Sequence, residues 1–130
     1  MAASCVGRTT GLACIALIAC VAYALASGRL VVVRVSGGSM APALWPGDVC
    51  LVTRAASLAA SDVVLYVPPG HTGRVLHRVR SLESSRVVTQ GDANPIRDRE
   101  PVPRSAVLGK VSVVMPIGHA INVWQRDSGR

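Results

Sequence analysis

At 130 residues with a formal charge of +7, half apolar yet without phenylalanine, the chain has length for one domain, with a core built from Val, Leu, Ile and Ala. The charge comes from arginines scattered singly, with Lys110 the only lysine and no aromatic residues interleaved, which argues against a base-stacking nucleic-acid surface. The four cysteines form no C-x-x-C pair and the histidines lack ligand spacing, so neither a disulfide framework nor a structural metal site is expected.

The first segment carries no charge between Arg8 and Arg29. Twenty residues of helix rise about 30 Å, the thickness of a bilayer's hydrocarbon core. Residues 1–29 are therefore expected to be a short cytoplasmic tail and a membrane anchor, and residues 30–130 a β-rich domain. Two other readings stay open. Ala24-Leu25-Ala26 has the form of a signal-peptide cut site, and Leu17-Ile18-Ala19-Cys20 that of a lipoprotein box with Cys20 acylated. With Arg8 on one side and Arg29 and Arg34 on the other, charge leaves the orientation undecided or weighs mildly against an outside domain. Basic residues suit an anionic membrane surface, or simply a solvated face.

Valine richness favours strands over helices beyond this point. Residues 30–35 read as a strand leading directly towards Ser39, which places that serine close to the membrane. Residues 48–53 (DVCLVT) read as a second strand, 55–61 as a small-residue connection, and 62–67 (DVVLYV) as a third strand closed by Pro68-Pro69-Gly70. In residues 74–80 (RVLHRVR), Val75, His77 and Val79 share one face and Leu76, Arg78 and Arg80 the other. Residues 85–90 form a short strand before the turn cluster Gly91-Asp92-Ala93-Asn94-Pro95. A last strand, 106–115, is followed by Pro116-Ile117-Gly118. Lys110, Pro116 and His119 interrupt this stretch, so it should not span a membrane.

The chain is organised around residues 36–48, SGGSMAPALWPGD. A serine hydroxyl attacks only when exposed and set beside a base. Gly37 and Gly38 would allow unusual backbone conformations and the close approach of another chain, while Met40, Pro42 and Leu44 supply an apolar floor. Each piece alone has an ordinary explanation. G-G-S-M fits a loop between strands, His77 fits a core residue on a valine face, and Asp98 fits a solvated ion pair with Arg97 and Arg99.

Together, SGGSMAPALWPGD, VLHRV and TQGDANPIRD, in that order, resemble signal peptidase I. The resemblance is to its serine–histidine branch, found in the endoplasmic reticulum, archaea and some Gram-positive bacteria. The other bacterial branch has a lysine where this chain has His77. VLGKVSVVMPIG resembles the family's closing strand, and the likeness covers about residues 31–118 together with the preceding anchor. It implies a mainly β, antiparallel, coiled-sheet and barrel-like catalytic domain behind one N-terminal transmembrane helix. The implied protein is a single-pass enzyme of the cell membrane with its catalytic domain on the extracytoplasmic side. It would be a serine endopeptidase that removes signal peptides from secretory preproteins after small-x-small sequences such as Ala-x-Ala. No metal or cofactor is implied, and the partners are preproteins and membrane lipid.

By that resemblance Ser39 is the nucleophile, His77 the general base and Asp98 the carboxylate that orients it. Arg97 and Arg99 are expected to favour the charged form of Asp98. Asp92 matches the family's second aspartate and is read as holding its loop in place, and Met40 and Pro42 are expected at the substrate cleft. One departure bears on activity. The family's serine or threonine two residues before the nucleophile is here Gly37, with Ser36 one step earlier. The oxyanion would then rest on the Ser39 backbone N–H alone, or Ser36 would swing in beside Gly37 and Gly38. Another departure is Ala41, where an acidic residue is common. Two alternatives compete: a Ser/Lys maturation protease with Lys110 as base, and a non-catalytic, membrane-tethered β domain that binds peptides.

Overall fold

The computed structural model describes residues 3–127, with side chains from residue 10 to residue 124. The chain divides into two compact units, Met1–Val31 and Val32–Arg130.

The first unit is dominated by helix α1, Ala3–Ala26. Its last turn closes with Ser27 N–H on the Tyr23 carbonyl, and Gly28 follows at φ 67°. Glycine suits that left-handed position because it has no Cβ to clash there. Leu12, Ile15, Leu17, Ile18 and Tyr23 are all exposed along it, and Cys20 with Ala24-Leu25-Ala26 lies within it. The membrane span expected here is not supported: among the described residues no helix is long and apolar enough to cross a membrane.

The second unit is mainly β, as the valine pattern implied. Strands β1 (Leu30–Arg34), β2 (Val49–Thr53), β3 (Val63–Tyr66), β4 (Val75–Leu82), β5 (Arg86–Gln90), β6 (Val102–Pro103) and β7 (Val107–Met115) form one sheet in the order β1-β2-β7-β3-β4-β5-β6. β7 pairs antiparallel with β2 and β3, β4 with β3 and β5, and β6 with β5. Register shifts at Leu51/Val52, Leu65/Tyr66 and Val79/Ser81 add local twist, and the sheet curls into a half-barrel. β6 was not expected from the sequence. It is a two-residue edge strand, a place where Pro103 loses nothing by lacking an N–H.

Helix α2, Ile117–Asp127, was not expected either. Pro116 reads as a stop, but here it begins the helix, its carbonyl accepting from the Ala120 N–H. Ile117, Ile121 and Trp124 then recur at helical spacing.

Alternation along the strands gives the sheet an apolar cluster on each face. Val64, Tyr66, Val79, Val87 and Val102 pack on one side. On the other, Val35, Met40, Leu44 and Cys50 pack with Val63, Leu76 and Val111. The neighbours Val63 and Val64 on β3, and Leu76 and His77 on β4, thus look to opposite faces.

Candidate active site

Ser39 lies in the loop between β1 and β2. Met40 (1% exposed) and Leu44 (3%) plug that loop into the second cluster, and backbone bonds from Ala41 N–H to Gly38 O and from Leu44 N–H to Met40 O tighten it. The Ser39 carbonyl is gripped from outside by the Ala93 N–H at 2.9 Å. Ser39 itself remains half-buried.

His77 occupies β4 opposite Val64 and is buried at 9% exposure on the valine face. Its two nitrogens have different partners. Nδ1 lies 2.6 Å from Asp98 Oδ2, and Nε2 lies 3.3 Å from Ser39 Oγ. With the Nδ1 proton directed to the carboxylate, Nε2 is left to accept the serine proton. The fold therefore brings Ser39, His77 and Asp98 into one chain of hydrogen bonds, although 38 residues separate the first two and 21 the last two. A serine, an imidazole and a carboxylate so arranged can perform nucleophilic catalysis.

Asp98 is held differently from the expectation. Among the described residues, Arg97 and Arg99 make no ion pair with it, and both are exposed. Successive residues of an extended loop point apart, so sequence neighbours are poorly placed to bond one another. Its Oδ2 instead accepts from Thr89 Oγ1 at 2.7 Å and Tyr66 Oη at 3.1 Å, while its own N–H donates to the Thr89 carbonyl at 2.9 Å. Burial, helped by the nearby charge of Asp98, pushes the Tyr66 phenol up to about 12, so it stays protonated and donates. Sequence reasoning missed Tyr66 and Thr89. Strand parity puts both on the His77 face: Tyr66 is two residues beyond Val64, and Thr89 is opposite Val79. The strand order needed to use that parity is absent from the sequence.

Asp92 does not enter this chain. Arg78, the residue after His77, donates to it twice, Nε to Oδ1 at 2.8 Å and Nη2 to Oδ2 at 2.6 Å, with Arg80 3.7 Å away. Chiefly the Arg78 hydrogen bonds hold the Asp92 carboxyl below its ordinary range against the opposing effect of burial. Since Ala93 grips the Ser39 carbonyl, this pair ties the His77 strand to the serine loop.

Gly37 and Gly38 are exposed, neither has a positive φ, and a Cβ at either would meet nothing within 4 Å. The expected need for unusual backbone conformations there is thus corrected; what the glycines leave is open space. Ser36 is exposed and shares with Gly37 and Ser39 a groove of about 180 Å³, whose apolar walls include Val33, Val35, Met40 and Leu65. Met40 lines that groove from beneath. Pro42, after a cis peptide bond, is exposed and does not line it. The Ser39 N–H has no acceptor among the described residues. Lys110, the alternative base, is occupied by Asp62 at 3.3 Å. Among the described residues no group of His, Cys, Asp and Glu is placed to hold a metal ion.

No protein-family model matches the chain. The chain is similar to a protein described as signal peptidase complex catalytic subunit SEC11 from Plasmodium falciparum (isolate 3D7), with 36% identity over 73 residues, 52% of this chain. The chain spans only 40% of that relative's length. This similarity supports a relationship to the signal peptidase family.

Proposed function

We propose that this protein is a membrane-associated serine endopeptidase of the serine–histidine type that removes signal peptides from secretory preproteins. The observation that carries the proposal is the continuous line Ser39 Oγ–His77 Nε2, His77 Nδ1–Asp98 Oδ2 beside an apolar groove. Ser39 Oγ attacks the scissile carbonyl while His77 Nε2 takes its proton. The tetrahedral oxyanion accepts from the Ser39 N–H, and collapse expels the amine with the proton returned by His77. Water activated by the same imidazole then hydrolyses the acyl-enzyme and frees Ser39. Asp98 keeps the imidazole in the tautomer that both steps require.

The substrate is an extended segment lying in the groove over Met40, with room for side chains as small as alanine; this suits cleavage after Ala-x-Ala. Gly37 removes the hydroxyl expected in the oxyanion hole, and Ser36, in the same groove, is placed to substitute for it. A helix exposing apolar side chains all round, as α1 does, is at home in lipid rather than water. We therefore infer membrane attachment through this segment, with the catalytic domain facing away from the cytoplasm.

Incubation of the detergent-purified full chain with a preprotein bearing Ala-x-Ala tests the reading. Wild type should cut after that sequence and Ser39→Ala should not. Cleavage by neither would leave a peptide-binding β domain, and cleavage by both would place the nucleophile elsewhere.

A further inference from the structure

We propose that Tyr66 and Thr89 are positioning residues that hold the Asp98 carboxylate, and through it the His77 imidazole, in line with Ser39. The inference rests on the serine-hydrolase reading above and concerns two groups that no motif singled out. Asp98 belongs to no strand, so one contact with Nδ1 would leave its carboxylate free to turn about its side-chain bonds. Three donors converging on one oxygen, Oδ2, remove that freedom. Thr89 holds the residue twice, through its hydroxyl and through the carbonyl that accepts from the Asp98 N–H.

The surroundings make a packing role insufficient. Thr89 is fully buried and Tyr66 is 3% exposed, in a cluster whose other buried apolar members are valines. A buried hydroxyl is costly there unless it is bonded, and phenylalanine and valine would fill the same space without that cost. Both hydroxyls find their acceptor on the same carboxylate oxygen. Thr89 Oγ1 also lies 3.3 Å from Tyr66 Oη, but its single proton serves the shorter contact to Asp98. The Tyr66 ring meets the His77 imidazole edge-on at 6.2 Å, so the phenol limits tilting of the base as well.

The test uses the full chain in detergent with the Ala-x-Ala preprotein, and compares wild type with Tyr66→Phe, Thr89→Val and Thr89→Ser. Tyr66→Phe and Thr89→Val should each lower kcat roughly 10- to 100-fold, as expected for losing a hydrogen bond to a charged group, with KM unchanged. Thr89→Ser should restore most of the rate. In proton NMR the His77 Nδ1–H resonance, far downfield in wild type, should move or broaden in the first two variants and return in Thr89→Ser. Wild-type kcat in both damaging variants with an unmoved resonance would overturn the proposal. So would losses of thermal stability and KM in step, with the resonance unchanged. Absence of Ser39-dependent cleavage in wild type would remove the hydrolase reading alone, since the resonance still reports on the hydroxyl–carboxylate contacts.

Discussion

At Gly91 a single hydrogen keeps the serine loop in place. A Cβ there would stand 2.6 Å from the Ser39 carbonyl oxygen and 2.8 Å from the Asn94 side chain, and the first of these is backbone that cannot rotate away. Gly91→Ala should destabilise the fold by about 1–3 kcal/mol and cut turnover by roughly 10²-fold, because Ser39 must shift relative to His77. Urea unfolding and preprotein cleavage read the two effects separately. The choice of base is also made at this scale. His77→Ala should abolish cleavage, whereas Lys110→Ala should leave it near wild type, because the Lys110 ammonium already faces Asp62. The reverse result would restore the serine–lysine alternative.

Elements are tied together here by carboxylates. The Arg78–Asp92 pair joins β4 to the loop after β5, and its pH dependence has a definite sign. The folded Asp92 carboxyl titrates below its unfolded value, so the pair's contribution is fully present above about pH 4 and disappears as pH falls through the lowered folded value. Arg78→Gln should therefore lower thermal stability at pH 7, by about 1–3 kcal/mol, and the gap from wild type should close on acidification. A gap constant with pH would exclude the ion pair as its source. Asp48 plays the corresponding part for α2. At 1% exposure it accepts from the Trp45 N–H at 2.8 Å and the His119 N–H at 3.0 Å, so one buried side chain closes the serine loop and satisfies the first turn of the helix. Asp48→Ala leaves two amides without that acceptor, and an unfolding free energy lower by about 2–4 kcal/mol is expected.

Across the second unit the sheet is packed on both faces, and Cys50 reports on that packing. It is fully buried in the cluster under the serine loop. Burial, and secondarily the charge of Asp48, pushes its thiol up, away from the reactive thiolate form. In a chain with Cys5, Cys14 and Cys20 replaced by serine, a thiol reagent should modify Cys50 only at the rate of global unfolding. Rapid labelling under native conditions would show that the serine loop opens locally.

The strands were legible because alternation of valines with polar residues is a local property, and six of the seven lie within a residue or two of where that pattern put them. Ser39, His77 and Asp98 were legible as candidates because three short motifs in fixed order are specific together. β6 and α2 were not, since a two-residue edge strand has no period to detect and Pro116 can end one element or begin the next. Nor did the sequence contain the strand order that puts the last strand between β2 and β3, or the 3.3 Å and 2.6 Å contacts that join the three side chains. Only folding supplied Tyr66 and Thr89 to Asp98 in place of the arginines beside it. Side-chain direction along a strand is set by the local backbone, whereas the partner waiting on the next strand is set by the packing of the whole sheet.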